Sequence, residues 1–272
     1  MAQLKVTGLF FYPVKSLGGI SVPSATILKK GIQHDRRWML MDENNVFLTQ
    51  RIHAQMALFR MSNADNGFFV DYNGQQLHIP FTIEGDPVRA KIWEDEVTVR
   101  EVSLRHSEWF SENLGINCKL VAFPEENDRA VDERYRVGDD HVSLADAYPL
   151  LIVGQSSLDD LNNRMDVPLP MNRFRPNIVF TGGEPFEEDT WSRFTLNDLK
   201  FAGVKPSKRC VLTTVDQDTA AKGAEPLATL AKYRRKDGGV YFGQNVIPLT
   251  TGQISIGDEI TIHSSVSAHI FQ

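Results

Sequence analysis

The chain has 272 residues, of which 42% are hydrophobic and 24% are charged, and its formal net charge is −6. Such a composition is ordinary for a globular protein of one large or two modest domains. The negative net charge argues against binding of a nucleic-acid polymer, which usually needs a basic surface.

Two cysteines cannot build a disulfide framework, so a reducing compartment is the simpler inference. They also cannot supply the roughly four thiolates of an internal iron–sulfur cluster. No apolar stretch approaches the ~20 residues needed to span a bilayer, and residues 1–10 do not resemble a signal peptide. We therefore expect a cytoplasmic protein that does not attach to a membrane.

The first half of the chain is a series of strand patterns separated by polar turns. The strongest short-range signal is Asn73-Gly74, which is typical of a hairpin turn between two strands. Strands are predicted at residues 4–12, 24–28, 36–41, 46–49, 68–72, 76–80, 88–93 and 96–102. This spacing predicts a β-barrel or a β-sandwich.

One helix is predicted in this half, with Ser103 as its N-cap and Gly115 closing it after Leu114. Residues 118–123 follow as a strand in which Cys118 belongs to the core. Residues 125–138 are highly charged and poor in apolar side chains, so they are the best candidate for a domain boundary or a mobile loop.

The second half is also rich in strands. A strand at 150–153 precedes a helix capped by Ser156 or Ser157, and a short helix is predicted at 226–233. Residues 257–262 are expected to form the closing strand of a barrel. The predicted class is therefore mainly β, with a few short helices.

Residues 205–216 carry Cys210 directly after Lys208 and Arg209. Pro206 predicts a loop before the cysteine, and the β-branched and aliphatic residues 211–215 predict a buried strand after it. Neighbouring cations favour the thiolate, which attacks electrophiles and binds metals. The alternative is a small buried hydrophobic residue, as free cysteines often are.

Two other segments bring cations to strand ends. Residues 13–19 form a glycine-rich turn with Lys15 and Ser16, which suits a phosphate unless the turn is simply solvated. Arg173 and Arg175 precede a strand at a spacing of two, which predicts that they share a face. Two like charges there repel unless an anion lies between them, or unless solvent or salt bridges satisfy each one.

Taken together, these segments favour an anionic cofactor with a thiolate beside it that could bind a soft or borderline metal. The cations concerned are Lys15, Arg36, Arg173, Arg175, Lys208 and Arg209.

Four motifs, in order along nearly the whole chain, resemble those of MOSC-domain proteins, the relatives of the mitochondrial amidoxime-reducing component and its bacterial counterparts. Residues 12–16 (Tyr-Pro-Val-Lys-Ser) and 35–38 (Asp-Arg-Arg-Trp) resemble two signatures of the N-terminal β-barrel domain of that family. Residues 173–178 (Arg-Phe-Arg-Pro-Asn-Ile) resemble another motif. Residues 208–219, around Cys210, resemble the family's cysteine motif.

The resemblance implies a MOSC N-terminal β-barrel domain over residues 1–123 and a MOSC β-barrel domain over 124–272. It also implies a molybdenum cofactor, with Cys210 as the metal ligand and catalytic residue. Lys15, Ser16 and Arg36 would then hold the pterin phosphate. The remaining contacts would come from Arg175, Asn177, Ser207 and Arg209, beside the cations Arg173 and Lys208.

The chemistry implied by the resemblance is the reduction of N-hydroxylated compounds such as amidoximes, hydroxylamines and hydroxylated nucleobases. Electrons would come from a separate reductase, ferredoxin or haem protein. Two alternatives stay open: a sulfurtransferase that carries a persulfide on Cys210, and a module that binds or delivers the cofactor without turnover.

The chain departs from the family pattern at Ala220, where a glycine is common. A residue that needs a positive φ there would be strained by about 1 kcal/mol or more. Either the turn differs locally or Gly223 takes over the role.

Overall fold

The computed structural model describes residues 3–267, and most of its regular structure is β-strand, which confirms the mainly β class. The first half contains β1 (Lys5–Phe11), β2 (Ile20–Val22), β3 (Ser24–Leu28), β4 (Gly31–Ile32), β5 (Trp38–Asp42), β6 (Arg60–Ala64), β7 (Gly67–Tyr72), β8 (Gln75–Pro80), β9 (Pro87–Ile92), β10 (Asp95–Glu101), α1 (Leu104–Leu114) and β11 (Cys118–Ala122).

The second half contains β12 (Leu150–Gly154), α2 (Gln155–Asn162), β13 (Ile178–Thr181), β14 (Trp191–Leu196), β15 (Leu199–Arg209), α3 (Leu227–Leu230), β16 (Arg235–Lys236), β17 (Gly239–Pro248), β18 (Gly252–Ser255) and β19 (Ile260–Ser265). Within residues 3–267, no helix is both long enough and apolar enough to cross a membrane.

The largest sheet combines strands from both halves of the chain. Its order is β19-β14-β15-β17-β12-β13-β1-β2, with β16 beside β17, and it is open at both edges. β1 enters this sheet antiparallel to β13, with Leu9 opposite Ile178. β18 pairs in turn with β3. The division at 123/124 stays a prediction, and residues 1–2 and 268–272 of the two predicted domains lie outside the described residues.

Three smaller sheets complete the described fold: β18-β3-β4 joins both halves, whereas β5-β11-β10-β9 and β6-β7-β8 belong to the first half of the chain. The predicted hairpin at Asn73-Gly74 is confirmed, because both residues have positive φ between β7 and β8. The predicted boundaries of α1 are confirmed as well, whereas α2 has Gly154 as its N-cap and not Ser156 or Ser157. Ser103 accepts a hydrogen bond from the backbone N–H of His106, and Gly115 ends α1 in a left-handed conformation.

One hydrophobic core runs through both halves of the molecule. Leu9 and Trp38 from the first half belong to the same buried cluster as Ile152, Ile178 and Phe194 from the second. Cys118 is also in this cluster and is 3% exposed, which confirms its predicted place in the core. Burial of this shared apolar area stabilises both halves together, at about 25 cal/mol per Å² removed from water.

The predicted strand at residues 211–215 is wrong. The strand β15 comes before Cys210, and Val211–Thr214 form a turn of 3-10 helix in which Val211 is 54% exposed. The hydroxyl of Thr213 donates to the carbonyl of Cys210 at 2.9 Å, and that of Thr214 donates to Val211 at 2.8 Å. These local bonds compete with strand pairing, which β-branched composition alone would favour.

The predicted loop at Pro206 is wrong too, because Pro206 lies inside β15 opposite Gln244. Proline cannot donate a ladder hydrogen bond, so it is found mainly at sheet edges or bulges. β15 shifts register on both sides of Pro206, between Gly203 and Lys205 and between Pro206 and Lys208. These irregularities accommodate the proline.

Ala220 adopts a φ of 58°, whereas Gly223 does not have a positive φ, so the alanine itself carries the strained conformation. We expect Ala220→Gly to raise the free energy of unfolding by up to about 1 kcal/mol, because relief of the left-handed strain outweighs the extra freedom of the unfolded chain. Urea denaturation measures the change. The neighbouring variant Ala221→Gly has no such strain to relieve and should lose about 0.5 kcal/mol. Equal effects of the two substitutions would contradict this account.

Candidate cofactor site

A cavity of about 300 Å³ lies where the two halves of the chain meet. Nine of the predicted site residues line it: Lys15, Ser16, Arg36, Arg175, Asn177, Ser207, Lys208, Arg209 and Cys210. Arg173 does not line the cavity. The tertiary fold therefore brings together residues that are up to about two hundred positions apart in sequence.

The cavity is strongly cationic in a chain whose net charge is −6. Its basic residues are Lys15, Arg36, Arg51, Arg175, Lys205, Lys208 and Arg209, and its only acidic lining residue in the described part of the chain is Asp146. Such an excess of positive charge in a partly enclosed space attracts and holds anions.

Backbone carbonyls hold two arginines of the cavity wall, Arg175 and Arg209. Nη1 of Arg175 donates to the carbonyl of Leu17 at 2.6 Å, and Nη2 of Arg209 donates to that of Phe174 at 2.7 Å. Burial lowers the pKa of both guanidinium groups to about 10, so each remains charged at neutral pH. A carbonyl fixes the position of a cation without cancelling its charge, and the positive field stays available to a ligand.

Tyr12 contacts two arginines of the cavity wall, Arg36 and Arg175. The guanidinium carbons of Arg36 and Arg175 are both 4.2 Å from the centre of its ring, within the range of cation–π contacts. Its hydroxyl donates to the carbonyl of Pro176 at 3.1 Å. Burial raises the pKa of Tyr12 to about 12, so the phenol stays neutral. Arg36 also pairs with Asp35 at 2.6 Å.

Lys15 is buried, and its ammonium group already has protein partners. Nζ donates to the carbonyl of Leu144 at 2.8 Å and to Oδ1 of Asp146 at 2.5 Å. Burial lowers the pKa of Lys15, and Asp146 opposes this shift. Burial alone would raise the pKa of Asp146, but Lys15 and Arg51 hold it well below the usual range. Asp146 is therefore an anion at neutral pH. Its side chain is 49% exposed, which also favours the charged form.

Cys210 is partly exposed, and its sulfur accepts a hydrogen bond from Nε of Arg51 at 3.2 Å. Nη2 of Arg51 also pairs with Oδ2 of Asp146 at 2.6 Å. Arg51 therefore orients the sulfur of Cys210 and is itself held by Asp146. Sequence reasoning missed Arg51, because it follows a predicted strand with no motif around it. Only the folded structure brings it to the cysteine.

Asn177 lines the cavity, but its amide also has a structural role. Oδ1 accepts hydrogen bonds from the backbone N–H of Leu151 and from Arg36, both at 3.1 Å, and Nδ2 donates to the carbonyl of Phe10 at 3.2 Å. The side chain therefore ties β1 to β12 and sets the position of Arg36 at the same time.

The predicted common face of Arg173 and Arg175 is wrong. Arg173 ends a short 3-10 helix, and Arg175 has a φ of 55°, so neither lies in a strand. Arg173 points away from Arg175. It donates to the carbonyls of Thr213 and Thr214 at 3.0 Å and pairs with Asp216 at 3.0 Å. It thus holds the segment that follows Cys210.

The donor groups present fit a cofactor that brings most of its own metal ligands. In residues 3–267, no group of three or more His, Cys, Asp and Glu side chains could hold a metal ion. Cys210 offers a single sulfur ligand, so a metal bound to it would take its other ligands from a bound group or from solvent. Nε of Arg209 is buried without a hydrogen-bond partner among the described residues, which indicates unused donor capacity in the cavity wall.

Chemically, this cavity is a site for an anionic ligand beside a thiol. Family comparison agrees: the MOSC N-terminal beta barrel domain matches residues 3–117, and the MOSC domain matches residues 139–261. The chain is 30% identical to mitochondrial amidoxime reducing component 2 of Bos taurus and 31% identical to that of Homo sapiens. Each alignment covers 94% of this chain and 82% of the relative.

The chain belongs to the MOSC-domain family, as the sequence motifs predicted. A further relative is the molybdenum cofactor sulfurase of Oryza sativa subsp. japonica, at 28% identity over 96% of this chain. This chain covers 34% of that protein, so it spans about one third of the sulfurase. The predicted link to the molybdenum cofactor is confirmed by the family and its relatives.

We expect Asp146→Asn to lower the free energy of unfolding by about 1 kcal/mol at pH 7, because Lys15 and Arg51 lose their shared anion. The folded state depresses the pKa of Asp146, so this contribution is present above about pH 4, the unfolded pKa, and is lost as the pH falls below it. The difference from wild type should therefore shrink below pH 4.

Urea denaturation at pH 7 and below pH 4 measures this dependence. The matched control is Asp218→Asn, which breaks an exposed pair with Arg60 and should cost less than about 0.5 kcal/mol. A loss for Asp146→Asn that stays the same at both pH values would contradict the expected linkage.

Proposed function

We propose that the chain is a molybdenum-cofactor-dependent oxidoreductase that reduces N-hydroxylated compounds, such as amidoximes, hydroxylamines and N-hydroxylated nucleobases. The observation that carries the proposal is the partly exposed sulfur of Cys210 in a cavity lined by seven basic residues. The names of the amidoxime-reducing relatives support the reaction class.

In this proposal Cys210 is the protein ligand of the metal, and the cationic wall holds the phosphate and pterin of the cofactor. The residues assigned to the wall are Lys15, Ser16, Arg36, Arg175, Asn177, Ser207, Lys208 and Arg209. Arg173 contributes indirectly, because it fixes the carbonyls of Thr213 and Thr214 just after the ligand.

When bound, a molybdenum centre supplies two-electron chemistry coupled to oxygen transfer. Reduction of an N–OH group consumes two electrons and two protons, breaks the N–O bond and releases water. Arg51 holds the Cys210 sulfur through its Nε–H. Because Asp146 is ionised at neutral pH, it orients Arg51 and Lys15. The two protons would come from solvent water.

In this proposal the electrons come from a separate protein, since two cysteines are fewer than the four thiolates of a typical iron–sulfur cluster. A reductase, a ferredoxin or a haem protein could serve as that donor. The partly exposed position of Cys210 keeps the redox site near the surface, where a donor can reach it.

Metal analysis of protein from a host that makes the cofactor tests the proposal. We expect near-stoichiometric molybdenum and releasable pterin in wild type, and loss or loose binding of the metal in Cys210→Ser, because the variant lacks the thiolate. Cys118→Ala removes the buried cysteine instead and should keep the metal. Turnover of an amidoxime with a reduced viologen then separates an enzyme from a module that only binds the cofactor.

A sulfurtransferase is the second candidate, favoured by the molybdenum cofactor sulfurase among the relatives. In that case Cys210 carries a persulfide. Mass spectrometry of the purified chain distinguishes the two functions. Absence of metal and pterin after reconstitution, together with a persulfide on Cys210, would reject the oxidoreductase and support the sulfurtransferase.

A further inference from the structure

Trp93 is an exposed aromatic residue near the cavity. It lies in the two-residue turn between β9 and β10, where Ile92 pairs with Asp95, and 44% of its surface is exposed. Its φ is 55°, a conformation that Gly or Asn adopts far more readily than a bulky side chain. Strain and exposure of a large apolar side chain at one position suggest a role beyond folding.

Three contacts fix the indole ring despite its exposure. Nε1 donates to Oδ1 of Asp146 at 3.3 Å, and the guanidinium carbon of Arg51 is 4.9 Å from the ring centre. The ring of Phe47 packs edge-on at 5.0 Å. Because Asp146 and Arg51 both line the cavity, these contacts place the indole at its rim.

Arg51 also connects Trp93 to Cys210. The guanidinium that contacts the indole donates through Nε to the sulfur of Cys210 at 3.2 Å. Trp93 is thus separated from the sulfur by one side chain. Arg51 lies over one face of the indole, and the exposed part of Trp93 offers apolar surface beside a wall that is mostly cationic and polar.

We propose that Trp93 binds the planar aromatic part of the substrate by stacking, and so selects aromatic N-hydroxylated compounds over aliphatic ones. The reaction in this inference rests on the proposed function, whereas the binding preference does not require turnover. An aromatic ring on the indole gains stacking in addition to burial of apolar area. An aliphatic compound with the same N-hydroxyl group gains neither to the same extent.

Calorimetric titration of the purified chain with benzamidoxime and acetamidoxime tests the preference, because the two neutral ligands share the reactive group and differ in the ring. We expect wild type to bind benzamidoxime more tightly. Trp93→Leu should weaken benzamidoxime binding about tenfold and leave acetamidoxime unchanged. Trp93→Phe keeps a ring but loses the N–H donated to Asp146, and should retain most of the preference.

The control Ile52→Ala removes a 69% exposed apolar side chain next to Arg51 and should change neither affinity. The proposal is overturned if wild type shows no aromatic preference, or if Trp93→Phe is as harmful as Trp93→Leu. In the latter case the indole only supports Asp146.

In cofactor-loaded protein, Trp93→Leu should raise KM for the aromatic amidoxime with little change in kcat.

The two proposals fail separately. A chain without molybdenum or turnover rejects the oxidoreductase, and the ratio of the two calorimetric affinities still decides the role of Trp93. A normal enzyme whose affinity ratio is insensitive to Trp93→Leu rejects stacking alone.

Discussion

The site depends on two buried cations, Arg175 and Arg209, that are oriented by neutral carbonyl oxygens. Arg175 donates to Leu17 and Arg209 to Phe174, and in neither case does a carboxylate cancel the charge. Taking a charged group out of water is costly unless hydrogen bonds compensate. Dipoles give that compensation while leaving a net positive potential, whereas a carboxylate partner for every arginine would leave a neutral cavity. An acidic protein can therefore keep one strongly cationic interior surface.

This arrangement requires both halves of the chain to fold together. β1 lies beside β13 in the large sheet, and this pairing brings Tyr12 against Arg175. The carbonyl that holds Arg175 belongs to Leu17 in the turn after β1. The two family domains thus share a sheet, a core and a site, so their boundary in sequence does not mark two independent functional units.

Much of the fold and site could be predicted from local patterns, because capping, hairpin turns and clustered cations are local properties. Ser103 and Gly115 bound α1 as predicted, and nine of the predicted site residues meet in one cavity. The errors arise where nonlocal or competing bonds decide. Threonine hydroxyls bond to the preceding carbonyls after Cys210. Arg51 and Trp93 reach the site only through tertiary contacts and carry no sequence signal of their own.

Backbone strain occurs at several positions where the site is built. The φ values are 65° at Ser16, 49° at Arg36, and 55° at both Arg175 and Trp93. Each left-handed residue of this kind costs on the order of 1 kcal/mol. Glycine would relieve the strain at Arg36 or Arg175, but it would also remove a cation from the cavity wall. The turns around the cavity are therefore less stable than the same turns would be with glycine at these positions. The side chains that line the site occupy backbone conformations that favour glycine.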